Sequence, residues 1–224
     1  MSVQYKLRAI SSYGDYRDDI NTMVNDNGGQ MSFEQYDYIY KLVNSMKGCN
    51  FLIFGLGKDS DLWIKSNENG KTVFLEDDDE WINICRDING MDVRKVEYTN
   101  TGYDADRLLN EYDSGTNNLK LELDEDIRET KWDIIIVDGP ACYGFDKPCR
   151  MKSIYESYNI SKLNNDKADI FVHDVGKHIV KTYTNYFFKN HKTINTIGNC
   201  KCGGAEHCRC NILRHYKLED KNNG

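Results

Sequence analysis

No apolar run in the 224 residues approaches the roughly 18 needed to span a bilayer as a helix, so no membrane segment is expected. The first twenty residues carry Lys6, Arg8, Asp15, Arg17, Asp18 and Asp19 with no apolar centre, which is neither the pattern of a signal peptide nor that of an anchor. Positive charge is also scarce. Twenty-nine Lys and Arg against 36 Asp and Glu leave a formal net charge of −7 and a pI near 5.3. There is no basic field to hold nucleic acid or an anionic membrane surface. Proline occurs only as Pro140 and Pro148, both in one loop, and no internal repeat is present. Disorder is not indicated, because aromatics make up 12% of the chain and short apolar runs recur. The expectation is a soluble, cytoplasmic protein with one sizeable core and its oligomeric state open.

Cysteine, by contrast, is plentiful, with eight in the chain. A secreted disulfide framework would call for an export signal and usually a shorter chain. Cys49, Cys85, Cys142 and Cys149 are scattered and read as free core or loop thiols. Cys200, Cys202, Cys208 and Cys210 crowd together where a final hairpin should turn. Residues two apart on a strand face the same side, so the four sulfurs can converge on a structural zinc, with His207 as a spare ligand. Disulfides Cys202–Cys208 and Cys200–Cys210 are the alternative, disfavoured in a reducing cytosol. Free thiols are the third reading.

Residues 1–31 lack a sustained period and include the turn signal Asn25-Asp26-Asn27-Gly28-Gly29, so they read as a lead-in to a domain over 32–224. Ser32 and Gln35 have capping-box spacing, and Tyr36, Ile39, Tyr40, Val43 and Met46 recur at helical intervals, which predicts a helix over 33–47. Tyr36, Tyr38 and Tyr40 are read as the surface and core of that helix, not as a stacking platform. Apolar runs of strand length follow at 51–54, 73–75, 93–96, 134–137 and 170–172, alternating with helical candidates at about 60–67, 79–89, 103–112, 148–163 and 177–189. Uninterrupted runs such as Ile134 to Val137 suit strands buried on both faces. Two last strands, near 193–197 and 211–218, are linked too tightly for a crossover helix. The expected fold is α/β: a Rossmann-like, mostly parallel, doubly wound sheet ending in an antiparallel hairpin.

Ligands of such a sheet bind beyond the carboxyl ends of its strands. The first run ends in Gly55-Leu56-Gly57-Lys58-Asp59-Ser60, with Ser60 where a dinucleotide fingerprint would place a third glycine. The second ends in Glu76, placed to accept both ribose hydroxyls. Gly55, Gly57, Asp59, Ser60, Glu76, Asp77 and Asp138 form the candidate cofactor set for an adenosine compound without a pyrophosphate. S-adenosylmethionine fits this set and NAD fits it less well. Asp77 to Glu80 read as a helix N-terminus, or, with Asp77 and Asp79 as a DxD-type metal site, as a nucleotide-sugar glycosyltransferase. The fourth run ends in Asp138-Gly139-Pro140 and the fifth in His173-Asp174. Asp138, His173 and Asp174 can converge on a substrate hydroxyl, either removing its proton or, for the two carboxylates, holding a divalent cation that acidifies it.

Six blocks carry a family resemblance: Asn50 to Gly57, Thr72 to Asp77, Val96 to Thr99, Trp132 to Pro140, Arg150-Met151 with Ile154-Tyr155, and Phe171 to Val175. Together they resemble the glucuronoxylan 4-O-methyltransferase family, the polysaccharide-biosynthesis domain also called DUF579. The resemblance implies a class I methyltransferase fold and methyl transfer from S-adenosylmethionine to a glucuronic acid hydroxyl, most directly the 4-OH, in a glycan or its activated precursor. It implies divalent-metal dependence in some members, which suits Asp138 and Asp174. Plant members carry a Golgi membrane anchor, and no such segment is expected here. The loop Ala141 to Cys149 departs from the family pattern in detail. Within and beside it Tyr143, Lys147 and Arg150 are the candidate acceptor-binding residues, with Lys177 a further candidate cation for a uronic carboxylate. A non-catalytic zinc-hairpin binding module is the remaining alternative.

Overall fold

Consecutive strand residues point to opposite faces, so an unbroken apolar run is stable only where both faces are covered. The computed structural model describes residues 15–27, 31–164, 167–198 and 211–218 and shows that arrangement. The elements in chain order are α1 (Tyr16–Asn27), α2 (Phe33–Ser45), β1 (Asn50–Phe54), α3 (Ser60–Ser66), β2 (Lys71–Glu76), α4 (Asp79–Cys85), β3 (Val93–Lys95), α5 (Ala105–Asp113), α6 (Glu125–Glu129), β4 (Ile134–Val137), α7 (Met151–Ser161), β5 (Asp169–Val172), α8 (His178–Phe187), β6 (His191–Ile197) and β7 (Leu213–Leu218). The strands form one sheet in the order β3-β2-β1-β4-β5-β7-β6. The first five are parallel, and β7 runs antiparallel to both β5 and β6. The order reverses between β1 and β4, which is where a sheet of this kind opens a crevice for a ligand.

Alternate strand residues feed two cores. Phe51, Ile53, Ile134 and Ile136 pack with Tyr36, Ile39, Val43, Leu62 and Trp63 on one face. Leu52, Phe54, Ile135 and Val137 pack with Leu108, Ile154, Val180 and Tyr183 on the other. The Ser32 and Gln35 capping box forms as expected at the start of α2. No helix among the described residues is long and apolar enough to cross a membrane.

Several expectations need correction. Helix α1 lies in the stretch read as lacking regular structure. Its Ile20 is fully buried, and Tyr16 stacks on Tyr40 of α2 with ring centroids 4.3 Å apart. The short helix α6 also went unexpected between α5 and β4. The final strands do pair antiparallel, but β7 inserts between β5 and β6. Cys49 and Cys85 are free and buried, whereas Cys142 and Cys149, read as free thiols, form a disulfide across the loop after β4. Cys200, Cys202, Cys208 and Cys210, with His207, lie outside the described residues.

Candidate active site

The exits of β1 and β4 meet backbone to backbone. Gly55 adopts φ 112°, a left-handed conformation that suits glycine. A Cβ added there would stand 2.9 Å from Gly139 N, and one added at Gly139 would stand 2.7 Å from Gly55 Cα. Phe54 O accepts from Asp138 N at 2.9 Å and Gly139 N at 2.6 Å, locking the two tips together. Ser60 takes the place of the missing third glycine by using its side chain: Gly57 N donates to Ser60 Oγ at 3.0 Å, while Ser60 N donates to Gly57 O at 3.2 Å.

Glu76, at the tip of β2, is buried against the same turn. Its Oε2 accepts from Leu56 N at 2.7 Å, and its Oε1 accepts from Asp77 N and Asp78 N at 2.9 and 2.8 Å. Burial nevertheless pushes its carboxyl up to about 7. Three of roughly four lone-pair positions are used, so Glu76 retains capacity for one ribose hydroxyl, on Oε2, where two were expected. Asp59, in the β1–α3 loop, is 6% exposed. Burial, then the nearby charge of Asp138, raises its carboxyl to about 6, and the Tyr36 hydroxyl and the Trp63 side chain face it. The Tyr36 hydroxyl is itself buried and faces Asp59 and the Met31 backbone.

At the tips of β4 and β5 a buried arginine organises the candidate catalytic groups. Arg150 donates to Pro140 O at 3.2 Å through Nε, to His173 O at 2.7 Å through Nη1, and to Asp138 O and Oδ1 at 2.6 and 2.9 Å through Nη2. Its Nη1 also lies 3.2 Å from Asp174 Oδ2. Four of its five N–H donors are thereby hydrogen-bonded and Nη1 also faces Asp174. Arg150 is buried and turned to the protein's own acceptors, where contact with a substrate carboxylate was expected. His173 Nδ1 meets Asp138 Oδ1 at 2.7 Å, and its Nε2 meets Asn211 Oδ1 at 2.8 Å. Burial opposes charging His173, but Asp138 outweighs it and holds the imidazole above its ordinary pKa. Asp138, although half-buried, is held below the usual carboxylate range by His173 and Arg150. Asp174, with a left-handed φ of 62°, is likewise drawn down, to about 2, by Arg150, His173 and Lys177. Its Oδ2 lies 2.7 Å from Lys177 Nζ.

Asp138, His173 and Asp174, read as converging on a substrate hydroxyl, come together around Arg150. The guanidinium fills the space between the two carboxylates that a divalent cation would need, and no group of three or more His, Cys, Asp and Glu among the described residues could hold a metal. The divalent site does not fit. The acids after Glu76 take the capping role: Asp78 accepts from Glu80 N at 2.8 Å, and Asp79 is tied to Lys95 at 2.6 Å, which leaves the DxD reading without support. On the rim, Tyr143 is 87% exposed with Lys177 Nζ 5.6 Å from its ring centroid. Lys147 is exposed and 3.9 Å from Asp146. The loop 141–149, closed by its disulfide, is pinned by Gly102 N to Lys147 O and Tyr103 N to Phe145 O, each 3.0 Å, with the Tyr103 and Phe145 rings stacked. Neither Tyr103 nor Phe145 was marked by the sequence, because only tertiary packing brings them to the loop.

S-adenosylmethionine, the cofactor suggested by the sequence, fits these residues on two counts: the bare backbone at Gly55 and Gly139, and the remaining capacity of Glu76. Among solved structures, an O-methyltransferase from Bacillus cereus in complex with SAH aligns at TM-score 0.54 over 94% of each chain, with 14% identity. The fold is thus that of class I, Rossmann-like methyltransferases. Arabinogalactan O-methyltransferase 2 of Arabidopsis thaliana is 32% identical over 75% of this chain and 65% of its own length. Glucuronoxylan 4-O-methyltransferase 1 of the same plant is 33% identical over 70% of this chain and 61% of its own length. The chain therefore spans somewhat under two thirds of these relatives. The family described as IRX15/IRX15L/GXM matches residues 34–201, which contain Gly55, Glu76, Asp138, Arg150 and His173, and this chain belongs to it.

Proposed function

We propose that this protein transfers a methyl group from S-adenosylmethionine to a hydroxyl of a glycan, most directly the 4-OH of a glucuronic acid. The observation that carries this reading is Asp138. It stands at the β4 tip with its carboxylate kept ionised, its Oδ1 fixed by His173 and Arg150, and its side chain still 22% exposed. The cofactor supplies an electrophilic methyl group when bound. The chain supplies alignment and a proton acceptor. Asp138 accepts the hydrogen bond of the incoming hydroxyl, directs its oxygen, and takes the proton as the new bond forms. His173 is a poor base here, because both ring nitrogens are engaged and its charged form is favoured. It and Arg150 are positioning residues. Asp174 holds Lys177 at the rim, where Lys177 and exposed Lys147 offer positive charge to a uronic carboxylate. Exposed Tyr143 and the stacked Tyr103 and Phe145 offer faces for sugar rings.

The relatives named for arabinogalactan and glucuronoxylan support a polymeric acceptor. The Cys142–Cys149 disulfide suits an oxidising compartment better than the reducing cytosol expected from the sequence. The test is transfer of labelled methyl from S-adenosylmethionine to glucuronoxylan, arabinogalactan and free glucuronic acid, with and without chelator. Label on a uronic acid of either polymer is the expected result. Saturable cofactor binding with no transfer to any uronic acid acceptor would reject the proposed substrate class.

A further inference from the structure

We infer that the stacked rings of Tyr103 and Phe145 form a subsite for a neutral sugar of the acceptor glycan, flanking the uronic acid that is methylated. This rests on the glycan acceptor proposed above and adds to it a residue from another segment, the one-turn 3-10 helix Gly102–Asp104 before α5. Of the large apolar side chains exposed among the described residues, only Tyr103 and Tyr143 are aromatic, and both stand at the loop 141–149. Tyr103 is 76% exposed although one face turns to Phe145, with ring centroids 5.8 Å apart and planes 28° from parallel. Its second face is therefore open to solvent. An aromatic face gains free energy when it leaves water, and the C–H face of a pyranose covers such a ring while its hydroxyls stay hydrated.

The platform is held in place from several sides. Gly102 N donates to Lys147 O and Tyr103 N to Phe145 O, each at 3.0 Å. Gly102 is buried in that junction, where a Cβ would stand 3.0 Å from both Phe145 Cα and Ile179 Cδ1. Thr101 N donates to Asp104 Oδ2 at 2.9 Å and closes the turn, while the Cys142–Cys149 disulfide closes the loop that carries Phe145. A sugar bound here orders little that is not already ordered, which favours its affinity. Charges of both signs border the rings: Arg107 meets Asp104 at 2.8 Å, and Lys147 lies 3.9 Å from Asp146. A neutral ring suits that border better than a carboxylate does, so the uronic carboxylate belongs nearer Lys177. The reach suits an oligosaccharide. Phe145 precedes Arg150 by five residues, which is at most roughly 18 Å of chain, and Arg150 holds Asp138. A few linked sugars cover that span.

The test is affinity electrophoresis of the full chain in native gels cast with unsubstituted xylan or with a galactan, neither of which contains uronic acid. The unmodified chain should be retarded, and retardation by xylan alone, by galactan alone or by both identifies the neutral sugar. Tyr103→Ala should weaken the affinity read from the retardation about five- to tenfold, and Tyr103→Phe, which keeps the ring, by less than about twofold. Affinity for S-adenosylhomocysteine, measured by calorimetry, should be the same in all three proteins and checks that the variants are folded. Migration that neither polysaccharide slows would overturn the inference, as would retardation that Tyr103→Ala leaves unchanged. Equal losses in Tyr103→Ala and Tyr103→Phe would assign the contact to the hydroxyl and overturn the stacking. The gels hold neither cofactor nor uronic acid, so retardation without methyl transfer would remove the proposed reaction and keep the platform. Transfer without retardation would remove the platform alone.

Discussion

The sheet holds a histidine–aspartate pair at each end, and only one of them is open. At the carboxyl ends of β4 and β5, His173 Nδ1 lies 2.7 Å from Asp138 Oδ1. At the amino end of β5, His215 Nε2 lies 2.8 Å from Asp169 Oδ1. The second pair is closed on all sides: Tyr38 Oη meets His215 Nδ1 at 2.9 Å, Lys217 Nζ donates to Asp169 Oδ2 at 2.9 Å, and Phe171 stacks on the imidazole. The first pair is saturated on Oδ1 of Asp138, while Oδ2 has no protein partner among the described residues and the side chain is 22% exposed. The residue types are the same, so chemistry follows from where the backbone leaves a group unfinished. Parallel strands end together at loops over a switch point, and their amino ends are plugged by packing.

Breaking each pair in turn should separate the two roles. Asp138→Asn should lower methyl transfer about 10²–10⁴-fold while leaving affinity for S-adenosylhomocysteine close to that of the unmodified chain. Asp169→Asn should leave transfer per folded molecule unchanged and lower the urea midpoint instead. Comparable loss of transfer in both variants would erase the distinction.

Removing the cations sharpens it further. Arg150→Met removes the buried guanidinium shared by Asp138 and Asp174 and leaves them only His173 and Lys177, and stability measured by urea unfolding should fall by about 3 kcal/mol. Lys217→Met removes a side chain that is 42% exposed, and the loss should be under about 1 kcal/mol.

The smallest expected effect is a pH dependence. Glu76 binds its proton more tightly in the folded state, its pKa rising from an ordinary 4.5 to about 7. Its favourable contribution to folding is therefore present below about 4.5 and is lost as pH rises through about 7. Binding runs the other way. The ionised form is the better acceptor for a ribose hydroxyl, so affinity for S-adenosylhomocysteine should increase as pH rises through about 7, by less than tenfold, and Glu76→Gln should flatten that rise. A rise that persists in Glu76→Gln would assign it to another group.

Much of this architecture was legible in the chain before folding. Ile134 to Val137 and Phe51 to Phe54 are unbroken apolar runs, and only a strand covered on both faces satisfies them. The glycines after β1 and the acid after β2 mark the crevice for the same reason, since strand tips are where side chains leave the core. Helix α1 was missed because Ile20, Met23 and Val24 supply one turn of period among aspartates and asparagines, and its stability comes from packing on α2. Helix α6 has five residues, too few to show a period. Arg150 was legible as part of a matched block but not in its role. Three of its acceptors are carbonyl oxygens of Pro140, His173 and Asp138, brought together only by the sheet. The Cys142–Cys149 link depends in the same way on how the loop folds back.

The central claim is that the carboxyl end of the sheet is the working end. A crystal structure of the chain with S-adenosylhomocysteine tests it most directly. The account predicts the ribose against Glu76 and the sulfur on the side of Asp138. Ligand bound elsewhere, or a sulfur that no hydroxyl held by Asp138 could reach, would contradict it.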